Sequence, residues 1–152
     1  MNQMLKSIEE IHKQDVCLFK IGSFYHAFGR DTYILSYLFG YKIKEASIEK
    51  SWIECGFPKN SAPKVMAQLE EKKINYVFID RRNNYDVDDK MDFGNLNRYV
   101  HFYEKAKKFV NHKRRINNIT NYLLENIDSN DFPKILKEVE EVINKWKKKN
   151  LK

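Results

Sequence analysis

Ile21-Gly22-Ser23-Phe24-Tyr25-His26-Ala27-Phe28-Gly29 is the stretch on which the fold turns. Three aromatic rings and a histidine stand between two glycines, directly after the apolar run Val16-Cys17-Leu18-Phe19. A core strand has no use for Gly22 and Gly29, and a solvent loop seldom carries Phe24, Tyr25 and Phe28. The segment therefore reads as a glycine-hinged bend that presents a ring. Phe24 is the ring expected outside, an ordinary core aromatic being the alternative, while Tyr25 and Phe28 are expected to pack beneath the bend.

Working outward, residues 3–14 carry Met4, Leu5, Ile8 and Ile11 at helical spacing, and residues 16–21 are β-branched and aromatic, as in a strand. After the bend, Asp31 or Thr32 is placed to cap a helix that runs to about Phe39, and Gly40 suits the position just past its end. Its inner face would be Tyr33, Ile34, Tyr37 and Leu38. Residues 41–48 alternate like a short strand, and Ser51-Trp52-Ile53-Glu54-Cys55-Gly56 reads as another. Ser61 is placed to cap a helix with Pro63 in its first turn, buried through Val65, Met66 and Leu69. Ile74 to Ile79 is a buried strand. The polar stretch from Arg81 to Asp89 reads as a break, which divides the chain into residues 1–90 and 91–152.

The second part is different in kind. No glycine or proline occurs between Gly94 and Pro133, and Leu96, Tyr99, Val100, Tyr103, Ala106, Phe109 and Val110 keep helical spacing. The pattern resumes at Ile116, Ile119, Leu123 and Ile127, as one very long helix or two joined near Asn117-Asn118. Ser129-Asn130-Asp131 and Pro133 open a further helix with the stripe Ile135, Leu136, Val139, Val142, Ile143 and Trp146. An α-helical hairpin is expected here.

Composition limits the classes of function. The chain has 152 residues, 42% of them hydrophobic, which suits one folded domain with a helical appendage and excludes a disordered chain. No apolar run approaches the roughly 18 residues of a membrane span, and no signal peptide opens the sequence, so a cytoplasmic protein without membrane association is expected. Cys17 and Cys55 lack metal-ligand spacing and read as buried thiols in a reducing compartment, a disulfide between them being the alternative. The formal net charge is +7. Residues 1–90 hold 14 basic and 13 acidic side chains, residues 91–152 hold 14 and 8, so the excess lies in the helical part. That asymmetry points to a polyanion, DNA or RNA, or else to a helix face simply rich in lysine.

Two stretches carry a family resemblance. LFKIGSFYHAF (residues 18–28) has an apolar strand, then glycine, one polar residue, Phe-Tyr, a histidine and Phe; ECGFPKNSAPKVMAQLEEKKINYVFI (residues 54–79) has a small-Gly-apolar-Pro turn, a helix and a closing strand. In order and spacing they resemble domain I of the DNA mismatch-repair protein MutS, over residues 3–82. The resemblance implies an α/β (α+β) fold: a MutS domain I-like mixed sheet flanked by helices, followed here by the C-terminal α-helical hairpin. It also implies that Phe24 is the ring that enters the minor groove of kinked DNA and stacks on an unpaired base, where lost pairing makes unstacking cheapest. The family's glutamate, which hydrogen-bonds the displaced base, is replaced by His26, whose imidazole can donate or accept.

Around that wedge, Lys59 (with Asn60) either reaches a backbone phosphate or forms a solvated turn, and Arg81 and Arg82 are candidates for the same contact. In the helical part Lys108, Lys113, Arg114 and Arg115 form a basic stripe for nucleic-acid backbone. No G-x-x-x-x-G-K-[ST] loop occurs, so the MutS ATPase is not expected. The histidines share no metal spacing, and Glu70-x-Lys72 falls on a polar helix rather than in a nuclease strand, so neither metal, cofactor nor catalysis is expected. The expected function is non-catalytic binding of distorted, mismatched or unpaired DNA, or of RNA. The alternative is a protein-interaction adaptor: a homo-oligomer through the C-terminal helices, or an accessory subunit of another operon-encoded protein such as a retroelement reverse transcriptase, a setting implied by likeness alone.

Overall fold

The computed structural model describes residues 2–150 of the chain. It divides into two compact units, one up to Val110 and one from Asn111 onward.

The first unit is built on a six-stranded mixed sheet in the order β3-β4-β2-β1-β5-β6. Helix α1 (Asn2–Ile11) leads into β1 (Val16–Ile21), which turns back as β2 (Phe24–Phe28). Helix α2 (Asp31–Phe39), the two-residue β3 (Lys44–Glu45), β4 (Ile53–Pro58), α3 (Ala62–Glu71), β5 (Tyr76–Asp80) and β6 (Asp86–Met91) follow in order. β1 and β5 run parallel, and the other pairs are antiparallel. The expected mixed sheet flanked by helices is the observed architecture.

Strand alternation sorts the core into two layers. Val16, Leu18, Ala27, Cys55, Phe57, Tyr76 and Phe78 face one way, against Ile34 and Leu35 of α2, Val65 and Leu69 of α3, and Tyr99, Phe102 and Ala106. Cys17, Phe19, Phe28, Val77 and Ile79 face the other way, against Leu5 of α1. On α1, Leu5 is buried, but Met4 and Ile11, expected on the same inner face, are exposed. Both cysteines are free and buried.

Several local expectations are corrected. The bend at 21–29 is a β-hairpin: Ile21 pairs with Phe24, so Gly22-Ser23 is a two-residue loop, and Gly22 has the positive φ of 65° that such a loop needs at its first position. The alternating stretch at 41–48 pairs only at Lys44 and Glu45. The polar break after β5 holds an edge strand, β6, whose exposed acidic residues suit a sheet margin that must not recruit another strand. Ser61 precedes α3 without making a side-chain cap, and neither Asp31 nor Thr32 is the residue before α2, which is Arg30. Gly40 ends α2 as expected, left-handed at φ 74°, with its N–H on the Ser36 carbonyl.

Helix α4 (Tyr99–Glu125) is continuous through Asn117-Asn118, which settles the choice between one helix and two. Its first turns belong to the sheet unit. The second unit holds the rest of α4, a turn at residues 126–131, and α5 (Phe132–Asn150), which has no buried residue. No helix among the described residues is long and apolar enough to cross a membrane.

Candidate nucleic-acid interface

The hairpin puts Phe24 at one end of the sheet, at the first position of β2. The residue is 45% exposed, which places it outside rather than in the core. Tyr25, on the opposite face, packs edge-on against Phe78, with ring centroids 4.9 Å apart, and Phe28 is buried, as expected of both. Alternation brings Phe24, His26 and Phe28 to the same face as Phe19 and Ile21. There the rings form a row: Phe24 to His26 6.4 Å, His26 to Phe28 6.2 Å and nearly parallel, Phe28 to Trp52 4.8 Å and stacked. The row gives the exposed ring a stiff base of aromatic side chains with few rotamers to lose.

Other candidates gather at the same end of the sheet because their strands end there. Phe24 lies opposite Pro58, the last residue of β4, and the Lys59 N–H donates to the Ser23 carbonyl at 3.0 Å. Arg81 and Arg82 follow β5, whose last residue, Asp80, pairs with Lys20 near the end of β1. With strands about 4.8 Å apart, Lys59 and Arg81 bracket Phe24 across a span of ~14 Å. The Arg81 side is the less cationic: Asp80 accepts the Arg82 N–H at 2.9 Å, and Asp86 pairs with Asp80 on the edge strand.

His26 is half-buried and held. Its Nδ1 lies 3.1 Å from Oε2 of Glu54, which is 2% exposed, and the other carboxylate oxygen, Oε1, accepts the Ser47 backbone N–H at 3.0 Å. Gly56 faces His26 across β2 and β4, and a Cβ there would lie 3.3 Å from Nδ1 and 3.1 Å from the Tyr25 carbonyl oxygen. The missing side chain is what lets the imidazole come this close to β4. Sequence reading found His26 but missed Glu54, although a lone acid alternating with apolar residues in a strand is a signal: a carboxylate buried there must have partners.

Lys108, Lys113, Arg114 and Arg115 belong to α4. All four are exposed, Lys108 in the last turn of the first unit and the others in the second, where Arg114 Nη2 donates to Asn111 Oδ1 at 2.7 Å.

A second polar cluster lies inside the sheet unit. Asp31 is fully buried, accepting the Cys17 N–H at 3.0 Å and the Tyr99 hydroxyl. Burial raises its carboxyl to about 6, and the donors around it hold that rise in check. Glu9 is pushed up to about 11, first by burial and then by the Asp31 charge beside it, so it stays protonated and bonds to Asp31. Its Oε1 is sealed from solvent and has no partner among the described residues. Glu9, Cys17 and Asp31 bring donor atoms within 4.8 Å of one another. Burial, followed by the Asp31 charge, pushes the Cys17 thiol well up, so it is a neutral thiol and a poor metal ligand as it stands.

None of the curated proteins matches the chain. The family model for MutS domain I matches residues 1–120, which take in the whole sheet and most of α4. The chain belongs to the MutS domain I family, the mismatch-recognition, DNA-binding domain.

Proposed function

We propose that this chain binds DNA at an unpaired or mismatched base, without catalysis, by inserting Phe24. The observation that carries the reading is Phe24, 45% exposed at the sheet's end. It stands on a packed aromatic row, with Lys59 on one side and Arg81 and Arg82 on the other. An apolar wedge separates a base step most readily where pairing is already lost, and stacking a base on an aromatic ring contributes about 1–3 kcal/mol. Lys59 and the two arginines neutralise phosphates on either side of the step, and Lys108, Lys113, Arg114 and Arg115 add sequence-independent affinity that falls as salt rises. The acidic β6 edge repels phosphate, so the duplex path favours the β4 side over the β6 side.

The test is a binding titration on a perfect duplex and on the same duplex with one bulged base, at two salt concentrations. Phe24→Ala should weaken binding to the bulged duplex about fivefold to 150-fold, from the stacking range above, and leave the perfect duplex nearly unchanged. Equal loss on both duplexes contradicts the wedge.

One observation favours a second role for the helical part. Helix α5 has no fully buried residue, its Phe132, Ile135 and Val139 being half-buried, and Leu136, Val142, Ile143 and Trp146 are all exposed along it. A stripe of that size on a short helix suits a partner helix, and a second copy of this chain is the simplest one. DNA binding by the sheet unit and assembly through α5 are compatible.

A further inference from the structure

The pairing of His26 with Glu54 does more than replace the glutamate that the family carries at position 26. A neutral imidazole has one N–H and one lone pair, and the hydrogen bond made by one nitrogen decides which the other presents. Here Nδ1 faces a buried carboxylate oxygen at 3.1 Å, and a carboxylate only accepts. Nδ1 must therefore hold the proton. Nε2, at the far end of the ring, is left with its lone pair and has no hydrogen-bond partner among the described residues. The side chain is 23% exposed and lies next to Phe24 in the aromatic row.

We propose that Glu54 makes His26 a hydrogen-bond acceptor toward the unpaired base, so that the site prefers thymine, which offers a ring N–H at N3, over cytosine, whose N3 is itself an acceptor. This rests on the wedge reading, which brings a base to Phe24 and so within reach of His26. Glu54 is a positioning residue: it touches no DNA and acts through the imidazole. Thymine also differs from cytosine in its 5-methyl group and in the carbonyl that replaces the exocyclic amine, so the reversal of the preference in Glu54→Gln, and not the wild-type preference alone, isolates the hydrogen bond. A net hydrogen bond corresponds to about threefold to tenfold in affinity.

The structure supplies the variant that reverses the preference. Glu54 Oε1 accepts the Ser47 N–H at 3.0 Å, so in Glu54→Gln the amide oxygen must stay at that place. The amide NH2 then faces Nδ1, forces it to accept, and moves the imidazole proton to Nε2. The replacement is isosteric and keeps both hydrogen bonds.

The experiment measures binding of the full chain to duplexes carrying a single bulged thymine or cytosine, at about pH 8.5 where imidazoles are neutral. The wild type should favour thymine about threefold to tenfold, Glu54→Gln should favour cytosine, and His26→Ala should bind both alike. The ring 15N resonances of His26 give a readout that a merely structural role would not move. They should show the proton on Nδ1 in the wild type and on Nε2 in Glu54→Gln. A wild type protonated at Nε2, or a Glu54→Gln variant that keeps the thymine preference, overturns the proposal. Phe24→Ala in the same series separates the two levels. If it spares bulge binding, the wedge itself is wrong; if it abolishes bulge selectivity while Glu54→Gln leaves the thymine-to-cytosine order unchanged, only the role given to Glu54 fails.

Discussion

Replacing Glu9 with glutamine should weaken the coupling of folding to pH. In the folded chain Glu9 keeps its proton to about pH 11, whereas an unfolded glutamate releases it near pH ~4.3. Between those limits the folded state binds the extra proton, so its contribution to stability is complete below the unfolded value and is lost as pH rises. Asp31, raised to about 6, acts in the same sense at the acid end of that window. The slope has a ceiling of about 1.4 kcal/mol per pH unit, or roughly 2.7 kcal/mol from pH 6 to 8. The two carboxyls titrate as a pair, and Glu9 is partly rather than fully buried, so about half of that, ~1.4 kcal/mol, is the working figure. For a chain of this size it corresponds to a fall in Tm of roughly 3–6 °C. Glutamine keeps the donor to Asp31 and has no proton to lose. Thermal melts followed by far-UV circular dichroism at pH 6 and pH 8 should therefore show a smaller pH dependence for Glu9→Gln, and a higher Tm than the wild type at pH 8. Identical pH dependence in the two proteins, or a wild type that gains stability from pH 6 to 8 relative to the variant, would refute the assignment of a buried, protonated Glu9.

Tyr99→Phe removes the hydroxyl that donates to buried Asp31. The stranded carboxylate should lower stability by about 1–3 kcal/mol, read as a drop in the urea midpoint at an unchanged m-value. Charging the α5 stripe with Ile143→Lys and Trp146→Glu together should convert an oligomer to a monomer in sedimentation equilibrium and leave the melt of the sheet unit alone. A wild type that is already monomeric at high concentration removes the assembly role.

How much of this was legible in the sequence follows from what each element needs. β1 and β5 are short runs of β-branched and aromatic residues buried on both faces, so composition alone marks them. α2 announces its end because Gly40 must be left-handed there. β2 was not legible as a strand: Phe24, His26 and Phe28 point one way and Tyr25 the other, so aromatics on both faces blurred the alternation, and the flanking glycines suggested a bend. β6 was hidden by Asp86, Asp88 and Asp89, residues chosen for a solvent edge rather than for strand propensity. At the site, Phe24 and its neighbours were readable because the local pattern carries them. Glu54 was not, since its partner His26 lies 28 residues away and only the pairing of β2 with β4 brings them together. Asp31, like Thr32, reads as a helix cap because a single sequence shows a polar residue before an apolar helix, and not the Tyr99 hydroxyl that reaches Asp31 from 68 residues further on.

The most direct measurement is photocrosslinking from the unpaired base itself. A duplex with one bulged 5-iodouracil, irradiated in complex with the chain and digested with trypsin, should give an adduct on the peptide from Ile21 to Arg30, at Phe24. Adducts confined to the lysines and arginines of α4, or to no residue of the hairpin, would contradict an account in which this ring meets the base.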